Sequence, residues 1–189
     1  MRYRVVYGVI LAGLMCSAHA ADKIEEVAET CSGCHGANGV SENANIPSIG
    51  GQPESYLKKI LLEWKSGVRH SETMESLIKE YSIEQIGALA AYYAKKPWTP
   101  VAQKTDANLV KLGEDATRGC AGCHGDTGVA NDVETPNLNG QWAEYLEMDM
   151  LKFRKGSMTV SNPKMLKALK KLSTEELKAA AAFFASQGK

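Results

Sequence analysis

A five-residue pattern that occurs twice constrains this chain more than any other feature. Cys31-Ser32-Gly33-Cys34-His35 and Cys120-Ala121-Gly122-Cys123-His124 both read C-x-x-C-H, at an offset of 89 residues. The spacing sets two thiols on one turn and presents the next residue's imidazole from the same side. Those groups suit covalent attachment of haem c, the thiols adding to two vinyl groups while the imidazole meets the iron. A zinc centre made of two C-x-x-C pairs, a redox-active pair, or structural disulfides would use the same sulfurs. None of these requires a His after both pairs. The pattern therefore predicts two covalently attached haem c groups, held by Cys31 and Cys34 and by Cys120 and Cys123, with His35 and His124 as axial iron ligands.

The N-terminus bears on the cysteine count. Met1-Arg2-Tyr3-Arg4 is a positive head, Val5 to Met15 is an apolar run, and Ala18-His19-Ala20 carries small residues where a signal peptidase reads. Residues 1–20 are predicted to be a secretory signal peptide cleaved before Ala21. The apolar run is short for a bilayer span, and Met15 before Cys16 argues against a lipoprotein signal. Nothing later reaches transmembrane length, so a periplasmic protein without a transmembrane anchor is expected. Of the five Cys, Cys16 leaves with the leader, and the other four are all used by the two motifs. The leader also removes Arg2 and Arg4 from a balance of 22 basic and 22 acidic residues, leaving the mature chain slightly acidic. A nucleic-acid binder would show a basic excess instead.

The motifs open a long internal repeat. At the same offset of 89, Pro47 matches Pro136, Gly51-Gln52 matches Gly140-Gln141, Tyr56-Leu57 matches Tyr145-Leu146, and Trp64-Lys65 matches Phe153-Arg154. After a two-residue insertion, Met74 matches Met165 and Ser82 matches Ser173. Met is the sixth ligand expected of an electron-transfer haem, because a thioether raises the potential. Met74 is the only Met in the first mature half. The second half holds Met148, Met150, Met158 and Met165. Met148 and Met150 fall on a helix and suit packing, whereas Met158 lies in a loop after Gly156 and is the rival. The repeat favours Met165, since Met74 and Met165 each precede a helix-opening Ser by eight residues. Pro47 and Pro136 each follow their His by twelve residues. A carbonyl there can accept from the imidazole's other nitrogen and fix the ring. His70 has no partner motif and is expected to be a solvated loop residue.

Each copy reads as three main helices. One leads into the Cys motif, over Asp22 to Thr30 and about Asp106 to Arg118. The next runs from Glu54 to Ser66 and from Glu144 to Lys155, with Tyr56, Ile60 and Trp64 on one face. The last opens at Ser82 with Gln85, or Ser173 with Glu176, as a capping box. Alanines along these last helices allow close approach of the first. Lys96-Pro97-Trp98-Thr99-Pro100 ends the first copy. The division expected is a first domain over 21–96, a linker over 97–103 and a second domain over 104–189. An aromatic content of 7% is thin for two cores of side chains alone; haem supplies the missing bulk, as small domains are otherwise marginal.

The mature chain resembles dihaem proteins built from two class I cytochrome c domains, an all-α fold. Two families share Gly-Gln followed by Tyr-Leu and then Met before a Ser-capped helix: cytochrome c4 and the cytochrome subunit of flavocytochrome c sulfide dehydrogenase. Leu77-Ile78-Lys79-Glu80-Tyr81-Ser82, Val101-Ala102-Gln103-Lys104, and Gly140-Gln141-Trp142 followed by Phe153-Arg154 lean to the second. Trp64-Lys65-Ser66-Gly67-Val68-Arg69 suits cytochrome c4 equally. Either resemblance implies the four motif Cys, His35, Met74, His124 and Met165 as site residues. It also implies an electron-transfer protein, with no catalytic residue of its own. The partner would be a sulfide-oxidising flavoprotein or, for a free carrier, a terminal oxidase. A haem enzyme with an open iron position is the rival class. Residues 21–96 carry a net −3 and residues 97–189 a net +1, with Lys164, Lys167, Lys170 and Lys171 around Met165. That cluster suits an acidic redox partner or is simply a solvated helical face.

Overall fold

The computed structural model describes residues 15–159 and 162–188, with side chains from Ile24 onward. Of the expected leader, residues 1–14 lie outside the described residues, while residues 15–20 and the expected cleavage point before Ala21 fall in the first helix, ahead of the described side chains. Among the described residues all regular structure is helical, and no helix is long and apolar enough to cross a membrane.

Helix α1, Met15–His35, carries the first Cys motif in its last turns. It does not stop at Thr30, as the spacing suggested, but continues through His35. Its counterpart is broken into α5, Ala107–Ala116, and the single turn α6, Ala121–His124. The break has a local cause: Thr117 turns its hydroxyl back to the Gly113 carbonyl at 2.8 Å. Such back-bonding competes with the helix ladder, and Gly119 follows with its freer backbone.

The second helices are α2, Glu54–Lys65, and α7, Ala143–Lys155. The last helices are α4, Ile83–Ala94, and α9, Thr174–Ser186, and both show the reciprocal capping box, Ser82 with Gln85 and Ser173 with Glu176. Two short helices were not anticipated: α3, Glu72–Ile78, and α8, Pro163–Leu169. They carry Met74 and Met165. Two turns are too few for a periodic apolar signal, and such a helix depends on its cap and its packing. Ser71 accepts from Met74 N at 3.2 Å, and Asn162 accepts from Lys164 N at 2.9 Å. These caps orient the first turns on which both Met side chains sit.

Ala28, Leu57, Leu89, Ala90 and Tyr93 form the core of the first copy. In the second copy, Leu146, Ala181 and Phe184 form one cluster, and Phe153, Met158, Leu169 and Leu177 another. Helix α5 packs directly on α9: a Cβ at Gly113 would collide with the Ala179 carbonyl. The alanines of α9 thus do what their small size suggests, and Ala179 to Ala182 are buried.

The copies meet through an exchange of glutamines that follows the repeat. Gln52 accepts from Asn137 N at 2.8 Å and donates to Asn137 O at 2.9 Å. Gln141 accepts from Ser48 N at 3.0 Å and donates to Ser48 O at 2.9 Å. The Trp142 indole adds a bond to Ser41 O at 3.0 Å. The segment 97–103 lies flat against the structure. Trp98 Nε1 donates to Asn139 O at 2.9 Å, Val101 N to Gly140 O at 2.8 Å, and Gln103 Nε2 to Gln141 O at 2.8 Å. Gly51 and Gly140 make this approach possible. Both have φ near +70°, and a Cβ would strike the Trp98 backbone or the Pro100 ring.

Candidate functional site

His35 ends α1 and His124 ends α6, and each is 8% exposed. His35 Nδ1 lies 2.8 Å from Pro47 O, and His124 Nδ1 lies 3.1 Å from Pro136 O. A carbonyl oxygen only accepts, so Nδ1 carries the hydrogen in both rings and Nε2 presents its lone pair. Burial lowers both imidazole pKa values below the ordinary 6.5, against the opposing pull of the proline carbonyls. Both rings are therefore neutral near pH 7, the form that can bind a metal.

The four motif cysteines are free thiols. Burial pushes the Cys31 and Cys120 thiols up, which keeps them protonated. Cys34 and Cys123 are exposed. Among the described residues, no three His, Cys, Asp or Glu side chains converge into a metal cage. The two Cys pairs thus do not meet at one zinc centre; each stays with its own His.

A cavity of about 620 Å³ runs continuously from Cys31 and His35 in the first copy to His124 in the second. Its walls include Leu57, Ile60, Ile78 and Leu89 on one side, and Leu146, Phe153, Leu169 and Phe184 on the other. Met74 and Met165 both line it. Met158 does not: it packs between Phe153, Leu169 and Leu177 in the core. Although it follows the helix in a loop, Met158 is only 8% exposed. Met150 also borders the cavity, from α7. His70 is exposed, with Nδ1 3.6 Å from Glu75 Oε2.

The cavity suits a large planar group with carboxylate arms. Its walls are mainly apolar, a neutral imidazole from each copy borders it, and a thioether stands on a capped short helix in each copy. Two buried donors that border it, Trp64 Nε1 and Arg69 Nε, have no partner in the protein. Leaving such groups unpaired is costly, and the carboxylates of a haem would supply the missing acceptors.

Sequence patterns did not reveal the polar cluster at the waist of this cavity. Asp149 on α7 is 8% exposed, and burial raises its carboxyl pKa against the opposing effects of Tyr145, Arg69 and Lys152. Arg69 reaches across from the first copy. Its guanidinium lies 5.5 Å from the Trp64 ring centre and 5.1 Å from that of Phe153, and Nη1 is 3.5 Å from Glu63 Oε2. Tyr56 joins them, its phenol pushed up to about 12 by burial. The signal was present in the repeat: Tyr56, Ile60 and Trp64 align with Tyr145, Asp149 and Phe153. A charge stands on an otherwise apolar face.

No family model matches the chain. It is 34% identical over 164 residues to a cytochrome c4 of Pseudomonas aeruginosa, covering 80% of this chain and 81% of that one. A thiosulfate dehydrogenase electron acceptor of Thiomonas intermedia is 35% identical over 141 residues, covering 69% of this chain and 65% of its own length. A cytochrome subunit of sulfide dehydrogenase from Chlorobaculum tepidum is 39% identical over 64 residues, covering 34% of this chain and 57% of its own. The crystal structure of reduced recombinant cytochrome c4 from Pseudomonas stutzeri superposes with a TM-score of 0.80 at 28% identity, covering 89% of this chain and 98% of that one. A repeated His and Met frame around a shared apolar cavity, an all-helical fold and this similarity along most of the chain lead to one assignment. The chain belongs to the cytochrome c4 family of electron-transfer haem c proteins.

Proposed function

We propose that the chain is a periplasmic carrier of single electrons with two covalently bound haem c groups, one in each of two domains, 21–96 and 104–189, tied by the segment 97–103. Cys31 and Cys34 hold the first group and Cys120 and Cys123 the second. His35 and Met74 are the axial ligands of one iron, and His124 and Met165 of the other. The observation that carries this reading is the repeated imidazole–carbonyl pair, His35 with Pro47 and His124 with Pro136, facing a cavity that a Met borders in each copy.

When bound, a haem supplies a one-electron couple between Fe(III) and Fe(II). The chain's residues do the rest. Pro47 and Pro136 orient the imidazoles and strengthen them as donors. Met74 and Met165 would each offer a thioether to a bound haem iron and so keep a substrate from it. The leucines and aromatic rings of the cavity exclude water. Trp64 Nε1 and Arg69 Nε would donate to haem carboxylates. The Lys residues of α8 and the turn after it, Lys164, Lys167, Lys170 and Lys171, are exposed and suit an acidic redox partner at the second site.

Mass spectrometry of the protein from an exporting host tests the reading directly. A chain beginning at Ala21 with the mass of two haems added supports it, and one haem or none refutes it. A Met-to-iron charge-transfer band accounting for both haems refutes the open-iron enzyme.

For the partner, a free carrier is favoured by the similarity to cytochrome c4, which spans 80% of this chain. A second reading, the haem subunit of a sulfide-oxidising flavoprotein, is favoured by the higher identity of the shorter match, 39% over 64 residues. Co-purification from the native host separates them. A flavoprotein retained in stoichiometric amount selects the second reading, and a lone dihaem chain selects the first.

A further inference from the structure

The repeat brings equivalent residues of the two copies together at the waist of the cavity, and there their equivalence fails. Gln52 and Gln141, and Tyr56 and Tyr145, are matched pairs. Yet Asp149 stands where the first copy has the apolar Ile60, and Arg69 stands at the offset of Met158. One copy thus brings a buried cation and the other a buried carboxyl to the same cavity wall.

We propose that Asp149 is a redox-linked proton site: it takes up a proton as the neighbouring haem gains an electron and gives it back on oxidation. The inference rests on the two-haem reading above. The balance is simple. A redox partner supplies one electron to the iron, the Asp149 carboxylate takes one proton from water, and the added charges cancel.

Three features of the site support this. Asp149 borders the cavity itself, where little water screens its charge from a bound group. Its surroundings do not lock it in one state. Tyr145, one helical turn before it, Arg69 and Lys152 all favour the ionised form. Burial acts against them and is the largest influence. Arg69 is moreover engaged elsewhere: its Nη1 is 3.5 Å from Glu63 Oε2 and its guanidinium lies against the Trp64 and Phe153 rings. Other titratable groups that border the same cavity are Tyr56 and Lys59 from α2, Lys164 from α8, Asp132 and Glu134 from the loop before α7, and the two motif histidines. Neither phenol competes for the proton, because both are already protonated near neutrality and burial raises them further above the ordinary 10.

The test is potentiometry of each haem in the holoprotein as a function of pH, for the wild type and Asp149→Asn. In the wild type, at least one midpoint potential falls with rising pH. The slope approaches about 59 mV per unit, a tenfold change in proton activity converted for one electron. Asp149→Asn flattens that slope to less than half. A wild-type potential that ignores pH, or an unchanged slope in Asp149→Asn, overturns the proposal; the latter assigns the proton to haem carboxylates. If the variant does not fold, infrared redox-difference spectra of wild-type protein carrying 13C-carboxyl aspartate decide. A label-sensitive carboxylic-acid band appearing on reduction supports Asp149, the buried Asp among the described residues, and its absence refutes it. Haem content, counted by mass on the same samples, separates a failure of this proposal from a failure of the two-haem reading.

Discussion

Gln52 and Gln141, one in each copy, make the same pair of bonds in opposite directions across the chain. Each side-chain amide grips both backbone groups of a single residue in the other copy, Asn137 for Gln52 and Ser48 for Gln141. Asn137 and Ser48 are themselves equivalent by the repeat. The contact is the intrachain form of a two-fold interface, in which a surface meets its own copy. It sits beside the prolines that orient the two imidazoles, so the joint between the copies and the histidine supports share one stretch of backbone.

Truncating either glutamine leaves a backbone N–H and a carbonyl without their partners. Gln141→Ala is expected to cost about 1–3 kcal/mol, and more than Gln52→Ala. Gln141 also accepts from Trp142 N at 3.1 Å within its own copy. Denaturant titration of both variants measures the difference. The double variant is expected to unfold in two separated transitions.

Met165→Ala is expected to remove about half of the Met-to-iron charge-transfer absorbance, because Met165 borders the cavity. Met158→Ala should leave the band intact and lower stability by about 2–5 kcal/mol, the usual cost of truncating a buried Met. Near-infrared spectra and thermal melts of the two proteins decide between the ligands; the reverse pattern would make Met158 the ligand.

Gly51→Ala tests the docked segment 97–103. The backbone there has φ of 74°, and the new Cβ would meet the Trp98 main chain. A loss of more than about 1 kcal/mol is expected. Proteolysis between residues 97 and 103 should also become faster in the variant.

Asp149 gives a definite sign for stability against pH. Burial holds its folded pKa above the ordinary 3.8. The native state then binds this proton more tightly than the unfolded chain does. Its contribution is fully present below the unfolded value and is lost as pH rises through the folded one. Asp149→Asn has no such loss. Its stability relative to the wild type is therefore expected to increase from about pH 4 upward and then level off. Denaturant midpoints across that range measure it.

His70→Ala is expected to change stability by no more than about 0.5 kcal/mol and to leave the haem spectrum untouched. The side chain is exposed, and its contact is a 3.6 Å approach to Glu75 at the surface.

The local chemistry was legible because it depends on short spacing. C-x-x-C-H brings its thiols and imidazole together on any helical turn, and twelve residues of loop return Pro47 and Pro136 to their histidines in both copies. The capping boxes of Ser82 and Ser173 were equally plain, being formed within four residues. Helices α3 and α8 escaped notice because two turns carry too little periodicity, although they present both methionines.

The sequence by itself determined the grouping of two thiols and an imidazole in each motif, the duplicated all-helical plan and the imidazole supports, all of which rest on contacts within one short segment or one repeat. Only the tertiary structure decided how the copies face each other, that segment 97–103 is bound along them, and that Asp149 and Arg69 are buried along one cavity. Burial belongs to no residue alone. The same carboxylate on a solvated helix would be an ordinary surface charge; placed at a water-poor cavity between two copies, its ionisation becomes coupled to whatever charge the cavity receives.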